Sequence, residues 1–262
     1  MATAARAVLL AAFAGMVAAV VVPSALAFPK LGQGCARADY PSGGHTVPAE
    51  LCRPPGAKRA APAVLILYGC GRFGSLDSSL AHELPHAGIA TLSVDYFAET
   101  PPSAGGRGYC GGGGDASNVW TTWHREVIDG AAALRRTSGI DPHRVGVVGW
   151  SMGGGVALDA AASAPATGHG ARPFDAMVIY SSYDDGLALA QARRLPPTMV
   201  LSAGTTDAVP VSGAIALHRA LQAALVPTEL HIWPHGQHSW PGAQGVQGLG
   251  WTTRFLHHYL GG

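Results

Sequence analysis

Residues 145–155 read Val-Gly-Val-Val-Gly-Trp-Ser-Met-Gly-Gly-Gly, a β-branched run that leads into glycines clustered around one serine. The segment 149–153 fits the pattern Gly-x-Ser-x-Gly, in which a serine lies on a tight turn between a strand and a helix. Glycines two residues before and after the serine let strand and helix approach without Cβ clashes. An ordinary turn in a glycine-rich chain is the alternative. The flanking strand and helix patterns favour the elbow, with Ser151 at its tip.

Apolar runs of strand length recur on both sides of this turn, and helical patterns separate them. Near-continuous apolar runs are typical of strands covered on both faces, and alternation with helices indicates parallel βαβ units. We therefore predict an α/β fold of the α/β-hydrolase type, with a mainly parallel central sheet of about eight strands and helices on both faces. The predicted strands are 63–68, 89–97, 145–150, 176–180, 198–202 and 229–233, and the predicted helices are 76–87, 118–137, 153–162, 212–224 and 248–260.

The N-terminal 27 residues have the features of a secretory signal peptide. Arg6 precedes an uncharged apolar run over 7–22, and a small-x-small pattern ends at Ala27. We predict cleavage after Ala27, which leaves 28–262 as a single α/β-hydrolase domain in a secreted or periplasmic protein. An uncleaved membrane anchor is the alternative, because the run is nearly long enough to span a bilayer. After cleavage we expect no stable membrane association.

Composition narrows the partners. The 262 residues carry 17 Lys and Arg against 16 Asp and Glu, and 48% are hydrophobic. A balanced charge gives no sign of a nucleic-acid partner, and the apolar content fits a folded core. No motif for a metal, nucleotide or flavin is present, so we expect no cofactor and no metal. The oligomeric state is not readable from the sequence.

Four cysteines in an exported chain predict disulfides. We expect Cys35 to pair with Cys52, because the two flank a short hairpin-like segment. We expect Cys70 to pair with Cys110, because both follow predicted strands. A zinc site is a weaker interpretation, since no two cysteines have the short CxxC spacing.

A serine hydroxyl needs a base within hydrogen-bond reach. In this fold the order is serine, acid, histidine, so both partners should lie near the C terminus. His238 follows the last predicted strand near the tip of a loop, and His235 in the same loop is the alternative. For the acid we predict Asp207, which follows the strand 198–202. Asp184 and Asp185, after the strand 176–180, are the competitors.

Acyl transfer also needs donors for the developing oxyanion. We predict the backbone N–H of Met152 as one donor, and the N–H of Cys70 or, second, of Gly71 as the other. For substrate contacts we predict Tyr68, Arg72, Trp150 and Trp240, and we assign Trp120 and Trp123 to the core.

Taken together, these motifs resemble the dienelactone hydrolase family, a branch of the α/β-hydrolases. The likeness runs from about Pro62 to the C terminus, and it rests on five short stretches. They are 68–71 (Tyr-Gly-Cys-Gly), 87–97 (Ala-Gly-Ile-Ala-Thr-Leu-Ser-Val-Asp-Tyr-Phe), 149–154 (Gly-Trp-Ser-Met-Gly-Gly), 204–207 (Gly-Thr-Thr-Asp) and 235–238 (His-Gly-Gln-His). Matched position by position, the resemblance implies a nucleophile at Ser151, an acid at Asp207 and a histidine at His238.

One departure bears on the substrate. Dienelactone hydrolases proper have cysteine at the elbow, whereas this chain has Ser151. The resemblance then implies a carboxylesterase that acts through an acyl-enzyme on a small-molecule ester. Two alternatives stay open: a small peptidase that uses the same residues, and an exported non-catalytic binding protein on the same fold.

Overall fold

The computed structural model describes residues 34–70, 73–98, 117–164, 172–182, 187–207 and 209–261. The strands are β1 (Cys35–Arg37), β2 (Tyr40–Ser42), β3 (His45–Val47), β4 (Ala49–Cys52), β5 (Ala61–Leu67), β6 (Ala90–Val94), β7 (Ile140–Trp150), β8 (Met177–Tyr180), β9 (Thr198–Ser202) and β10 (Thr228–Ile232). The helices are α1 (Ser75–His86), α2 (Ser117–Arg136), α3 (Met152–Ser163), α4 (Leu189–Ala192), α5 (Val211–Ala223) and α6 (Gly242–Leu260).

The central sheet has eight strands in the order β1-β4-β6-β5-β7-β8-β9-β10. The pairs from β6 through β10 are parallel, and β4 joins β1 and β6 in antiparallel pairs. Six of these strands match the sequence prediction closely. The mainly parallel α/β architecture predicted from the alternation of strands and helices is confirmed.

Both faces of the sheet are buried, as the apolar runs predicted. All seven residues of β5 are buried, and alternate ones face opposite cores. Leu65 packs in one core with Trp123 of α2 and Val156 of α3. Ile66 packs in the other core with Leu80 of α1 and Phe255 of α6. The helices therefore cover both faces, and the inner strands are shielded from water.

Among the predicted helices and strands, the largest difference in bounds is the start of α6, which begins at Gly242 and not at 248. Its first turns contain Gly245 and Gly248, which weaken a helical signal in the sequence. In the structure these glycines lie against Trp240. A Cβ on Gly248 would sit 3.0 Å from the Trp240 ring, so the helix packs closely there only because a side chain is missing.

The N-terminal segment forms a disulfide-linked hairpin arrangement. Cys35 lies opposite Cys52 in the β1–β4 pair, and the two are joined by a disulfide. β2 and β3 pair with each other between them, through a turn at Gly43 and Gly44 in which both residues have positive φ. The predicted Cys35–Cys52 bridge is confirmed. Cys70 is also disulfide-bonded, and its predicted partner Cys110 lies outside the described residues.

The predicted signal peptide, 1–27, also lies outside the described residues. Within the described ranges, no helix is long and apolar enough to cross a membrane.

Candidate active site

Ser151 lies at the tip of the turn between β7 and α3, at the carboxyl edge of the parallel strands. Its backbone has φ 53° and ψ −118°, a left-handed region that side chains rarely adopt. Its N–H donates to the carbonyl of Tyr180 at 2.8 Å, which ties the turn to the neighbouring strand β8. A strained serine held in this way projects its hydroxyl from the end of the sheet.

Close packing explains the two glycines of the motif. A Cβ on Gly149 would lie 2.6 Å from the carbonyl oxygen of Gly153. A Cβ on Gly153 would overlap the carbonyl oxygen of Leu67 and lie 2.6 Å from that of Tyr68. Real Cβ atoms do not come within 3.0 Å of such atoms. The elbow is therefore accessible only to glycine at both positions, as the motif predicted.

His238 and Asp207 meet Ser151 in a continuous hydrogen-bonded line. The Nε2 atom of His238 is 2.9 Å from Ser151 Oγ, and its Nδ1 atom is 2.6 Å from Asp207 Oδ1. Asp207 follows β9 after a short 3-10 turn, and His238 lies in the loop between β10 and α6. With the proton on Nδ1 donated to the carboxylate, Nε2 is free to accept the serine proton.

The environment of Asp207 keeps its carboxylate ionised. Burial would raise the pKa of Asp207, whose side chain is 0% exposed. Hydrogen bonds from His238, from the Ser181 hydroxyl and from the Val209 amide outweigh burial, and the pKa lies below its ordinary value. A carboxylate in this state can stabilise an imidazolium on His238.

Three contacts fix the loop that carries His238. The Gly236 N–H donates to the carbonyl of Ala203 at 2.8 Å. The buried Gln244 amide binds both backbone groups of Gln237, accepting from its N–H and donating to its carbonyl. Trp150, next to the nucleophile, donates its Nε1 proton to the His238 carbonyl at 2.9 Å. These contacts aim the imidazole at the elbow.

The competing histidine does not join this line. His235 has a left-handed backbone with φ 55°, and its exposed ring lies 3.4 Å from the hydroxyl of Thr205. The structure therefore brings His238, and not His235, to Ser151. Asp184 and Asp185 lie outside the described residues.

Of the predicted oxyanion donors, Met152 directly follows the serine. Met152 is the first residue of α3, where helix geometry leaves the amide without an intrahelical acceptor. On the other side, a Cβ on Gly69 would come 3.0 Å from the Ser151 Cβ atom, so the loop after β5 runs directly beside the nucleophile. Cys70 continues that loop, and Gly71 and Arg72 lie outside the described residues.

Two of the residues predicted to contact substrate, Tyr68 and Trp240, are buried in the core. Tyr68 is 2% exposed, stacks on Tyr96 with ring centroids 4.9 Å apart, and donates its hydroxyl to Asp95. Trp240 is also 2% exposed and donates Nε1 to Ser181. We therefore assign both to support of the site from within the core, in place of the contacts predicted. A substrate contact for the half-buried Trp150 stays a prediction, and Trp123 lies in the core as predicted.

Sequence reasoning missed Ser181 and Gln244. Ser181 acts through a hydrogen bond to Asp207, 26 residues away in the chain, whereas Gln244 acts through hydrogen bonds to Gln237, seven residues away. Neither residue belongs to a short motif. The only available signal for Ser181 was its place after the strand that neighbours β7. Among the described residues, no group of His, Cys, Asp or Glu could hold a metal ion.

Ser151, His238 and Asp207 thus lie in one hydrogen-bonded line at one edge of the sheet. A model of the dienelactone hydrolase family matches residues 115–245, half of the chain. The ethyl acetate hydrolase of Pseudomonas putida is 32% identical over 173 residues, which cover 63% of this chain and 49% of that protein. The chain thus spans about half the length of this relative.

Solved structures share the fold at lower identity. A dienelactone hydrolase from Anabaena variabilis superposes with a TM-score of 0.65 at 22% identity, over 86% of this chain and 98% of the other. A dienelactone hydrolase-like promiscuous phosphotriesterase from metagenomic libraries has a TM-score of 0.71 at 16% identity, over 87% and 98%. At these identities the likeness shows the α/β-hydrolase fold alone.

Proposed function

This chain belongs to the dienelactone hydrolase family, and we propose that it is a serine esterase that cleaves small carboxylic esters through an acyl-enzyme. Membership of this family supports hydrolysis of esters in general. The observation that carries the finer proposal is the line of hydrogen bonds from Asp207 through His238 to Ser151, 2.6 and 2.9 Å long. A small ester is supported by the name of the ethyl acetate hydrolase relative.

In the first half-reaction, Ser151 Oγ attacks the ester carbonyl carbon while His238 Nε2 takes the hydroxyl proton. The ionised Asp207 stabilises the imidazolium that forms. The tetrahedral intermediate then expels the alcohol, which receives that proton from His238, and the acyl group stays on Ser151. The acceptor of the first proton, His238 Nε2, already lies 2.9 Å from Ser151 Oγ in the free enzyme.

The oxyanion is stabilised by the backbone N–H of Met152 at the start of α3 and by an N–H of the loop after β5, with Cys70 as the first candidate. The positive end of the helix dipole at Ser151 adds to this stabilisation. In the second half-reaction, His238 takes a proton from water, the hydroxide attacks the acyl carbon, and the acid leaves as Ser151 recovers its proton. No cofactor is needed for either half.

We propose in addition that residues 1–27 are a signal peptide removed on export. The disulfide between Cys35 and Cys52 supports this, because disulfides persist in oxidising compartments. Expression of the full chain with export, followed by N-terminal sequencing, should find Phe28 as the first residue. A first residue ahead of the apolar run over 7–22 would contradict cleavage and favour the membrane anchor.

The test of the esterase proposal is hydrolysis of p-nitrophenyl esters of increasing acyl length. Wild type should turn over short esters, and Ser151→Ala should lose about 1000-fold or more in kcat/KM. Ser163→Ala is the matched control, since Ser163 is exposed at the end of the same helix. Absence of turnover in wild type, together with no reaction with a fluorophosphonate, would favour a non-catalytic binding protein. Turnover of peptide substrates in place of esters would favour the peptidase.

A further inference from the structure

Ser181 links the candidate acid to a buried tryptophan. Its Oγ atom is 2.9 Å from Trp240 Nε1 and 2.6 Å from Asp207 Oδ2. The indole N–H can only donate and the ionised carboxylate can only accept. The hydroxyl therefore accepts from Trp240 and donates to Asp207, so its proton has one direction and points at the acid.

The backbone of Ser181 is held in an unfavourable conformation. Ser181 has φ 43° and is 1% exposed, and it follows directly on β8. A left-handed non-glycine residue persists where its surroundings over-determine it. Here its N–H donates to the Leu201 carbonyl of the neighbouring strand at 2.8 Å, and its side chain has the two partners above. This conformation directs the hydroxyl toward Asp207.

Trp240 is itself firmly anchored. Its ring meets Tyr180 edge-on, with centroids 5.0 Å apart, and packs against Gly248 of α6. The Tyr180 hydroxyl is in turn 2.6 Å from the hydroxyl of Thr252 on the same helix. The donor to Ser181 is therefore fixed to both the sheet and α6.

We propose that Ser181, oriented by Trp240, is a positioning residue for the reaction that holds the second carboxylate oxygen of Asp207. With Oδ2 held by Ser181, Oδ1 stays directed at His238 Nδ1, and the imidazole keeps its alignment with Ser151. The hydroxyl also takes up part of the carboxylate charge and so tunes its attraction for the imidazolium. This inference rests on the proposed esterase function.

The first test is Ser181→Ala in the full chain with short p-nitrophenyl esters. We expect kcat to fall about tenfold with KM nearly unchanged, because one hydrogen bond to a charged group is lost far from the substrate. The acid limb of kcat/KM against pH should move up by about half a unit. Without the hydroxyl, the carboxylate charge is less dispersed and stabilises the imidazolium more.

Trp240→Phe keeps most of the ring and removes only the N–H donor. We expect a loss in kcat of about threefold, and we expect Ser181→Ala with Trp240→Phe to equal Ser181→Ala alone, since Trp240 acts through Ser181. A purely structural tryptophan would instead give additive losses. Ser182→Ala and Trp251→Phe are the matched controls, the first a neighbouring buried serine and the second a tryptophan stacked on His231 of β10.

The outcomes separate the two proposals. If wild type fails to turn over esters, the proposed function fails before this inference is reached. If wild type is active and Ser181→Ala matches Ser182→Ala in kcat and pH profile, the positioning role is wrong. If circular dichroism shows that Ser181→Ala does not fold, the test is the acid limb of kcat/KM against pH in Trp240→Phe. An upward shift of that limb relative to wild type supports the positioning role, and an unchanged limb overturns it.

Discussion

The turn that carries Ser151 and the loop that carries His238 meet at one hydrogen bond, but they are held in different ways. The turn is fixed by close backbone packing, since Gly149 and Gly153 leave no room for a Cβ atom. The loop is fixed by side-chain hydrogen bonds, from Gln244 in the first turn of α6 and from Trp150 at the end of β7. Steric fixation is local and is encoded in a short motif. Fixation by hydrogen bonds depends on residues that meet only after folding.

The largest effect should come from the loop, at the base itself. We expect His238→Gln to lower kcat/KM by about 1000-fold or more, because the base within hydrogen-bond distance of the Ser151 hydroxyl is lost. His235→Gln, in the same loop, should change it by less than about twofold, since the His235 ring points to Thr205 and solvent. Comparable losses in both variants, measured with p-nitrophenyl acetate, would mean that the loop and not the base had been disturbed.

On the other side of the comparison, Gly153→Ala should damage both folding and activity. The new Cβ would overlap backbone oxygens of Leu67 and Tyr68, which cannot move without displacing β5. We expect a loss of about 3 kcal/mol in the free energy of unfolding, measured by urea denaturation.

Gly155→Ala on the same helix is the matched control. Its Cβ would meet nothing closer than 3.7 Å, and alanine favours the helix over glycine by about 1 kcal/mol. Gly155→Ala should therefore be neutral or more stable than wild type. If Gly153→Ala is equally well tolerated, steric fixation of the elbow is wrong.

The turn and the loop also differ in how much of each could be predicted from the sequence. The strand and helix pattern, the elbow, Asp207 and His238 follow from periodicity and short motifs, because each depends on neighbours within a few residues. The early start of α6 could not be predicted in this way, since Gly242, Gly245 and Gly248 oppose a helix locally. The close contacts of Gly245 and Gly248 with Trp240 form only in the folded chain.

The support of the site was equally out of reach. Tyr68 and Trp240 are aromatic residues with a polar group, a type that is common in binding pockets, and only the packed structure reveals that both are 2% exposed. Gln244 bonds to a loop seven residues earlier, in a segment where its glycine-rich surroundings gave no helical signal. Tertiary hydrogen bonds of this kind leave no periodic trace in a sequence.

A smaller effect is expected from loss of the hydrogen bonds between the Gln244 side chain and the loop that carries His238. Gln244→Met keeps the volume of the side chain and removes both hydrogen bonds to Gln237. We expect kcat/KM to fall about tenfold and stability to fall by about 2 kcal/mol, because two hydrogen bonds to the Gln237 backbone are lost. Gln247→Met, exposed on the same helix, should match wild type in both assays. An unchanged kcat/KM in Gln244→Met would show that the loop holds His238 without these two hydrogen bonds.

The smallest effect on activity concerns a second buried carboxyl, beside the elbow. Asp77 is 1% exposed, and its Oδ2 accepts from the Gly74 amide, while its Oδ1 has no partner among the described residues. Burial raises the pKa of Asp77 from 3.8 to about 7, against the hydrogen bonds from the backbone amides of Gly74 and Asp77. Asp207, which accepts hydrogen bonds from His238, Ser181 and the Val209 amide, has a lowered pKa.

An acid whose pKa is higher in the folded chain binds more protons when folded, so stability falls as the pH rises from 3.8 toward about 7. Asp77→Asn should therefore be more stable than wild type at pH 8, by about 2 kcal/mol, and equal to it near pH 4. Urea denaturation at both pH values checks this, with kcat unchanged at pH 8. A variant less stable than wild type at pH 8 would show that Asp77 is held as a favourable carboxylate.

The central claim is that Ser151 is the nucleophile, and covalent labelling tests it most directly. Wild type and Ser151→Ala are incubated with a fluorophosphonate, and the site of the adduct is read by peptide mass spectrometry. The account predicts one adduct in wild type, on the peptide containing Ser151, and none in Ser151→Ala. An adduct on another serine that persists in Ser151→Ala, together with full esterase activity of that variant, would contradict it.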